Sequence, residues 1–398
     1  MIKDKHILII SIQDWDIEIG SNCKNIATEF AKHNKVLYVN PPMDRISSKR
    51  EKNTKKIKKR IRIKNGLEEN LVQIHKNLWN LYPKTMIESI NWLPIHSLFK
   101  VLNRRNSNLF AKEIRKAMDF LNFQDVILFN DSSMFLGYHL KEILKVKLYA
   151  YYMRDYLIKV PYWKRHGQII EPKLIEKADL VLNNSALYAE YGAKYNPKSF
   201  MVGQGCDISL FNDEDGSISI AKDLNHIPKP IIGYVGFITA MRLDIALLKY
   251  IAKNREDWSI VLVGPEDYEF SNSELHEIDN VYFLGSKEVA TLPCYVKGFD
   301  VAINPQLVND YTIGNYPRKI DEYLAMGKPV VATATKAMEM FAEQVYLASS
   351  KEGYIESISR ALSEDSQKRK ESRIAYAKGH TWENNVKTIY NIIEKTVQ

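Results

Sequence analysis

Residues 315–333 have the sequence NYPRKIDEYLAMGKPVVAT, which predicts a short helix followed by a buried strand. Asn315 can cap the start of this helix, and Pro317 fits its first turn because the missing N–H would have no helical partner there. Gly327 suits the left-handed position that follows a helix, and the proline two residues later prevents the helix from continuing. The apolar run 330–332 is typical of a strand inside a parallel sheet.

Two charged residues of the predicted helix, Lys319 and Glu322, lie three positions apart. Side chains at that spacing are neighbours on a helix surface. They form either an exposed ion pair, which contributes little, or a ligand clamp in which the cation meets a phosphate and the carboxylate meets a ribose. The residues alone leave both interpretations open.

The length and the cysteines restrict the class of protein. A chain of 398 residues exceeds one ordinary core, so we expect two domains. Cys23, Cys206 and Cys294 are far apart, which favours a reducing compartment over a disulfide framework or a structural zinc site. The apolar run 7–12 is too short for a signal peptide, and no run approaches the roughly 20 apolar residues of a membrane span. We therefore expect a cytoplasmic protein.

The net charge of +8 arises from one segment. Arg45–Lys64 contains eleven Lys or Arg residues and one acid, Glu51, and no aromatic residue. Surfaces that bind nucleic acid usually interleave basic and aromatic residues, so we expect no nucleic-acid partner. The segment is expected either to dock on an anionic membrane surface, which would make the protein peripheral at the inner face of the plasma membrane, or to form a solvated loop.

Alternating strands and helices predict an α/β protein made of two Rossmann-like halves. The first half begins with strands over 5–11 and 36–39 that enclose a helix. The second half begins at Ile231. A polar segment over 212–230, which contains proline and glycine, is predicted to link the halves. The stretch 45–108 has no regular pattern.

Polar residues follow two strands of the first half, at the edge where open α/β sheets bind ligands. Asp131 follows one strand, and Arg154 and Asp155 follow the next. Gly20 stands at the entry of the first helix and suits close approach by a ligand. Each of these residues is a candidate for a binding site, and the alternative is an ordinary surface position or turn.

Several segments, in this order, resemble the GT-B fold glycosyltransferases of the retaining family 4 type. Within that type they resemble the bacterial polysaccharide and teichuronic-acid-like branch. The segments are ADLVLNNS at 178–185, GQGCDISLF at 203–211, IGYVGFITAMRLD at 232–244, the stretch 315–333 and TWE at 381–383.

The resemblance implies a GT-B architecture with two Rossmann-like domains facing across a cleft. Residues 1–211 would form the acceptor-side domain, 231–380 the nucleotide-sugar domain, and 381–398 a helix that packs back on the first domain. It implies transfer of a sugar from a nucleotide-diphosphate sugar to a glycan or lipid-linked acceptor in bacterial surface polysaccharide synthesis. Retention of configuration is expected, with no metal or other cofactor.

The resemblance also assigns roles in the second half. Glu322 is expected to accept hydrogen bonds from the donor ribose, and Arg242 with Lys319 or Arg318 to hold the diphosphate. Phe237 stands where the family has a first basic residue of the phosphate loop. Gly314 stands where the family has a glutamate near the sugar.

The remaining predicted residues border these groups. Gly236, Gly285 and Asn315 are expected to contact the nucleotide, with base selection near Gly285. In the first half Arg154 occupies the position of a family histidine. Asp155 is the catalytic candidate on the acceptor side, together with Arg242, Lys319 and Glu322 in the second half; Gly20 is expected to line the acceptor.

Two alternatives remain open at the level of sequence. A GT-B sugar-nucleotide epimerase shares the fold, although its histidine and acid clusters are not evident here. A non-catalytic GT-B subunit of a polysaccharide assembly complex is favoured by Gly314 and Phe237, which depart from the family pattern.

Overall fold

The computed structural model describes residues 2–17, 21–309 and 312–397, and Gly20 lies outside this part of the chain. The chain divides into two compact units. Unit 1 comprises Met1–Gly203 and Asn385–Gln398, and unit 2 comprises Gln204–Asn384.

Unit 1 contains a long first series of strands and helices and most of the last helix. Its elements in the first series are β1 (His6–Ser11), α1 (Asn22–Ala31), β2 (Lys35–Val39), β3 (Met43–Asp44), α2 (Arg45–Arg50), α3 (Lys55–Lys64), β4 (Leu71–His75), β5 (Leu78–Leu81), β6 (Met86–Ile87), α4 (His96–Phe120), β7 (Ile127–Asp131), α5 (Met134–Gly137), α6 (Leu140–Leu144), β8 (Leu148–Met153), α7 (Pro161–Lys177), β9 (Leu180–Asn183), α8 (Ala186–Ala193) and β10 (Ser199–Met201).

Unit 2 alternates strands and helices with shorter connections. Its elements are β11 (Ile231–Val235), α9 (Ile245–Asn254), β12 (Ser259–Val263), α10 (Tyr268–Ser271), β13 (Val281–Phe283), α11 (Leu292–Gly298), β14 (Val301–Asn304), α12 (Lys319–Ala325), β15 (Val330–Thr333), β16 (Tyr346–Ala348), α13 (Lys351–Ser363) and α14 (Gln367–Gly379). The final helix, α15 (Trp382–Val397), begins in unit 2 and continues into unit 1.

Each unit has a Rossmann-like sheet. The strand order in unit 1 is β10-β9-β8-β7-β1-β2-β5-β4, with only β4 antiparallel to its neighbour among the described pairs. The strand order in unit 2 is β13-β12-β11-β14-β15-β16, and every pair is parallel. The order reverses between β1 and β7 and between β11 and β14, and such switch points are where open α/β sheets bind ligands.

Apolar residues cover both faces of the unit 2 sheet. Successive side chains of a strand point to opposite faces. Accordingly, Val235 packs in one buried cluster with Ile320 and Leu324 of α12, while Ile232 and Tyr234 pack in a second cluster with α9 and α13. This burial on both sides explains why the strands read as continuous apolar runs.

The last helix packs on unit 1, as the resemblance implies. The ring of Tyr390 in α15 stacks on Phe30 of α1 with centroids 5.4 Å apart. The Asn34 side-chain amide donates a hydrogen bond of 2.8 Å to the Tyr390 hydroxyl. Residues from Asn385 onward therefore share the core of unit 1 although they lie at the other end of the chain.

The passage between the units differs from the predicted linker. The chain leaves unit 1 at Gly203, and residues 212–230 belong to unit 2. Leu224 and Ile227 are buried in the core of unit 2 beside Phe211. These apolar residues hold the segment against the domain that follows it, which a composition rich in polar residues, glycine and proline does not reveal.

The stretch 45–108 contains more helix than its irregular sequence pattern predicts. Arg45–Lys64 forms two helices, and the side chains of Asp44 and Thr54 cap their N-termini. The next long helix, α4, begins at His96, whereas the apolar pattern indicates a helix only from Phe110. Buried polar side chains interrupt the apolar pattern of α4; the Asn103 side-chain amide, for example, donates a hydrogen bond of 2.8 Å to the Phe135 carbonyl.

Two further observations concern the cysteines and the membrane. Cys23 and Cys206 are buried, Cys294 is partly exposed, and all three are free thiols.

Among the helices of the described ranges, none is both long and apolar enough to cross a membrane.

The buried Glu171 makes the stability of unit 1 depend on pH. Its carboxylate accepts a hydrogen bond of 2.8 Å from the Tyr151 hydroxyl, and burial raises its pKa to about 7 although the hydroxyls of Tyr151 and Tyr191 act against the shift. The folded state therefore holds this proton more tightly than the unfolded chain, and stability is lost as the pH rises through 7.

We expect Glu171→Gln to stabilise the protein above pH 7, because the amide removes the cost of a buried negative charge. The gain in the free energy of unfolding is about 3 kcal/mol at pH 8 and close to zero near pH 4. Chemical denaturation at both values measures it. The exposed Glu176→Gln on the same helix is the control, and a destabilised Glu171→Gln at pH 8 would contradict the expectation.

Candidate functional site

The ends of three neighbouring strands in unit 2 meet without side chains between them. Gly236, Gly264 and Gly285 follow β11, β12 and β13, and their φ angles of 140°, 150° and 69° favour glycine. The Gly264 N–H donates to the Gly285 carbonyl at 3.0 Å, and a Cβ atom on Gly264 would lie 1.9 Å from the Gly236 carbonyl oxygen. Bare backbone therefore forms this edge, beside the switch point of the sheet.

Lys319 lies directly over Gly236. Its ammonium donates a hydrogen bond to the Tyr234 hydroxyl and lies 3.9 Å from the centroid of that ring. A Cβ atom on Gly236 would lie 3.0 Å from the Lys319 Nζ atom. The Tyr234 hydroxyl in turn donates to the Phe237 carbonyl at 3.2 Å. The structure thus brings Gly236, Phe237 and Lys319 together, as the resemblance implies.

The loop after β11 carries Arg242 to the surface. Its backbone is held by the Leu307 N–H, which donates to the Arg242 carbonyl at 2.7 Å, and by a bridge between Leu243 and Gln306. The loops after β11 and β14 are therefore tied together across the switch point. The Arg242 side chain is exposed, and its guanidinium makes no hydrogen bond or ion pair with any residue in the described ranges.

Glu322 lies one turn along α12 from Lys319. Burial raises the pKa of Glu322, and the positive charges of Arg318 and Lys319 act in the opposite direction. The side chain is half-buried, and its carboxylate makes no hydrogen bond with another described residue. It is therefore an open acceptor within reach of two cations, and the simple ion pair considered from sequence is not formed.

The neighbouring carboxylate, Asp321, is fully buried, and each of its two oxygens accepts a hydrogen bond. It accepts hydrogen bonds of 2.7 Å from the Tyr316 hydroxyl and from Nδ1 of His380. Burial raises its pKa, and His380 and Tyr316 oppose the shift. Sequence reasoning missed this cluster because its signal is weak: His380 lies 59 residues from Asp321 and precedes the TWE segment.

The start of α12 differs from the prediction. The helix begins at Lys319 with Arg318 as its N-cap residue, so Asn315 does not cap it. Tyr316 is buried against Asp321, which draws the chain into the core before the helix begins. Gly327 has φ 69° and ends the helix as expected.

The predicted residues of unit 1 form a polar network at its own switch point. Ser11 donates to Asp131 at 2.6 Å across β1 and β7, and Arg154 pairs with Asp131 at 2.8 Å and with Asp155 at 3.0 Å. Burial disfavours the charged guanidinium, but the two carboxylates raise the pKa of Arg154. Asp131 is buried, whereas Asp155 is 42% exposed, so Asp155 is the carboxylate available to a ligand.

A pocket of about 200 Å³ lies beside this network. It combines aromatic rings with amide and carboxylate groups, which sequence reasoning did not select. Its lining includes Ser11, Asp44, Asn91, Asn103, Tyr162 and Trp163. A larger groove of about 850 Å³ between β4, β5 and the end of α4 contains none of the predicted residues.

The arrangement offers no evident metal site. Within the described ranges no group of three or more His, Cys, Asp or Glu side chains is placed to hold a metal ion. Of the predicted charged residues, Arg242, Lys319 and Glu322 in unit 2 form no ion pair with a described residue, and Asp155 in unit 1 stays 42% exposed although it pairs with Arg154. Such a set suits an anionic ligand that also carries hydroxyl groups.

We expect Gly264→Ala to destabilise unit 2 severely, because the added methyl group collides with the Gly236 backbone and alanine is strained at this φ angle. The loss is about 3 kcal/mol or more, measured by chemical denaturation. Gly379→Ala is the control, since no heavy atom lies within 4 Å of its added Cβ. Equal stability of the two variants would contradict the contact.

Comparisons with known proteins concern the sequence and the fold. Residues 229–364 match the model of the family "Glycosyl transferases group 1". The chain is 30% identical over 171 residues to the putative teichuronic acid biosynthesis glycosyltransferase TuaH of Bacillus subtilis. That match spans 41% of this chain and 42% of the relative, so this chain covers less than half of the relative's length.

Solved structures match the whole chain at low identity. HepE of Anabaena, solved with UDP, has a TM-score of 0.66 at 16% identity and covers 98% of this chain and 100% of its own. The sucrose-phosphate synthase of Thermosynechococcus elongatus has a TM-score of 0.66 at 15% identity and covers 98% of each chain. The predicted fold is therefore confirmed: the chain has the GT-B fold, and residues 229–364 are similar to the glycosyl transferases group 1.

Proposed function

We propose that this protein is a glycosyltransferase that moves a sugar from a nucleotide-diphosphate sugar to a glycan or lipid-linked acceptor. The observation that carries the proposal is the open charged set of unit 2, with Lys319 over Gly236 and an unpaired Glu322 one turn away. This set lies in the region that matches the glycosyl transferases group 1.

The chemistry of transfer needs a stabilised leaving group. Arg242 and Lys319, with Arg318 as a further cation, would hold the diphosphate and offset the negative charge that develops as the glycosidic bond breaks. Glu322 would accept hydrogen bonds from the ribose hydroxyls, since an ionised carboxylate is an acceptor for two neighbouring donors. The bare backbone at Gly236 and Gly285 leaves room for a nucleotide to approach closely.

The relatives support a narrower version of the proposal. HepE was solved with UDP and with UDP-glucose, which supports a uridine diphosphate sugar as the donor. The name of the TuaH relative supports a role in bacterial surface polysaccharide synthesis. We infer that the protein works at the inner face of the plasma membrane, where lipid-linked glycan acceptors are assembled.

The acceptor is proposed to bind unit 1. Asp155 is its exposed carboxylate, and the neighbouring pocket offers the rings of Tyr162 and Trp163 beside asparagine amides. Aromatic faces and amides together suit the apolar and hydroxyl faces of a sugar. In this proposal the product keeps the donor's configuration, the leaving phosphate takes the acceptor's proton, and no metal is required.

The proposal is tested by adding a panel of nucleotide sugars and following thermal unfolding, because a ligand that binds the native state raises its melting temperature. A donor found in this way is then incubated with a lipid extract, with and without EDTA. Transfer that survives EDTA supports the proposal. Conversion of the donor sugar without an acceptor would indicate an epimerase, and the absence of donor binding would indicate a non-catalytic subunit.

We expect Glu322→Gln to weaken nucleotide binding about ten- to a hundredfold, the usual effect of losing a hydrogen bond to a charged acceptor. Because the ionised carboxylate is the acceptor, wild-type affinity should fall as the pH falls through the raised pKa of Glu322, whereas the affinity of the variant should change little. Calorimetric titration with UDP measures both. The exposed Glu356→Gln on α13 is the control, and unchanged UDP affinity in Glu322→Gln would exclude Glu322 from the site.

We expect Arg242→Ala to weaken UDP binding and to leave the stability of the fold almost unchanged. Its side chain is exposed and unpaired among the described residues, so the free energy of unfolding should change by less than about 0.5 kcal/mol. UDP affinity should fall about tenfold and depend less on salt, since one phosphate contact is removed. The exposed Lys253→Ala is the matched control. Equal UDP affinity in the two variants would show that Arg242 does not meet the diphosphate.

A further inference from the structure

A strip of unit 1 exposes large apolar side chains beside basic ones. Trp92, Ile95, Leu98 and Val101 are 64%, 58%, 44% and 67% exposed. They lie before and within the first turns of α4, the helix over His96–Phe120. We call the exposed basic and large apolar residues of the segment from Trp92 to Lys112 the α4 surface. Its members are Trp92, Ile95, Leu98, Lys100, Val101, Arg104, Arg105 and Lys112.

Most of these residues share one face of the helix, whereas Lys100 lies on another side, where it lines a small pocket with Tyr138 and His139. An open groove of about 490 Å³ is lined by Val101, Arg104, Arg105, Asn108, Leu109 and Lys112, which follow three- and four-residue spacing. The opposite face of α4 is anchored in the protein, since Phe99 and Phe110 are buried. The α4 surface is therefore held in place by a packed helix and faces solvent.

The cations of the α4 surface have no intramolecular partner. Lys100, Arg104, Arg105 and Lys112 are exposed, and none forms a hydrogen bond or ion pair with a residue of the described ranges. The segment from Ser89 to Lys112 contains no aspartate or glutamate. Four positive charges therefore stand open next to four exposed apolar side chains.

The basic run identified from sequence is different. Several of its cations are already used: Arg45 pairs with Glu88 at 2.7 Å, and Lys59 pairs with Asp16 at 2.8 Å. Arg60 is buried and donates to the Pro41 carbonyl. Ile57 and Ile63 are buried in unit 1, whereas Ile46 and Ile61 are 45% and 39% exposed. This run therefore holds part of its charge in ion pairs and exposes two isoleucines, whereas the α4 surface exposes four large apolar side chains, one of them a tryptophan.

We propose that the α4 surface docks this protein on a membrane that contains anionic phospholipid. Aliphatic and indole side chains would enter the boundary between headgroups and acyl chains, and the cations would meet lipid phosphates, which is how an amphipathic helix lies in an interface. A second copy of the chain fits less well, because a two-fold contact would place four cations against four cations. A nucleic acid would leave the exposed aliphatic side chains without a partner.

The position of the surface agrees with the proposed acceptor. Trp92 follows Asn91, which lines the pocket that Ser11 of the Asp131 network also lines, and Arg165 of α7 donates to the Trp92 carbonyl at 2.6 Å. A lipid-linked acceptor would thus leave the membrane next to this pocket. The docking inference goes beyond the proposed transfer and does not depend on it, because membrane binding can be measured without a donor.

The test is flotation of the full chain with phosphatidylcholine vesicles, with and without phosphatidylglycerol. We expect binding that requires phosphatidylglycerol. The triple variant Arg104→Ala, Arg105→Ala and Lys112→Ala should lose about a hundredfold in partition coefficient, from about fivefold for each cation near an anionic surface. The triple variant Ile95→Ser, Leu98→Ser and Val101→Ser should also release the protein.

The matched control removes three exposed lysines from the basic run: Lys52→Ala, Lys55→Ala and Lys58→Ala. It should change the partition coefficient by no more than about threefold in total, since those charges lie off the docking surface. A larger loss in the control than in the α4 cation variant would overturn the proposal. So would a folded wild-type protein that does not bind the vesicles, or one that dimerises through these residues.

Thermal shift with UDP separates this inference from the proposed function. All three variants should keep the wild-type UDP shift, which also shows that they are folded, because none of the substitutions lies in unit 2. Vesicle binding without donor binding would contradict the proposed glycosyl transfer but not the membrane docking. Donor binding without vesicle binding would contradict the membrane docking but not the proposed transfer.

Discussion

The candidate site depends on the backbone contact between Gly236 and Gly264 at the ends of β11 and β12. A Cβ atom on Gly264 would lie 1.9 Å from the Gly236 carbonyl oxygen, so any side chain there would separate the strand ends. Lys319 occupies the space above Gly236, and the Val235 N–H donates to the Tyr323 hydroxyl at 2.8 Å. The same strand end therefore positions the helix that carries Glu322.

The two adjacent acids of α12, Asp321 and Glu322, differ in burial and in hydrogen bonding. Asp321 is buried, and Tyr316 and His380 occupy its two oxygens, whereas Glu322 is half-buried and keeps its oxygens open. A buried carboxylate is tolerated only with such partners. Their presence tethers α12 to the end of α14, so one acid anchors the helix, and the next makes no hydrogen bond with another described residue.

Charge pairing explains why composition misleads in unit 1. Arg154 follows β8 at the ligand-binding edge, yet Asp131 and Asp155 hold its guanidinium, so it orients Asp155 rather than standing free. The basic helices at Arg45–Lys64 likewise use several of their charges in ion pairs. The four open cations of the α4 surface attract less attention in the sequence because they are spread along a helix with polar neighbours.

The sequence predicted most strands of both sheets and the glycine end of α12, because apolar runs and turn residues act locally, but it did not predict β4, β5 or β16. The grouping of Lys319 with Gly236 and Phe237 came from the family resemblance and not from a local pattern. The sequence missed the helices in 45–108, the true start of α12 and the passage between units at Gly203–Gln204. Tertiary structure decided which charges remain open, since Asp321 meets His380 and Arg154 meets Asp131 only after folding. The physical reason is that the free energy of a charge depends on its burial and partners, and partners distant in sequence leave no local pattern.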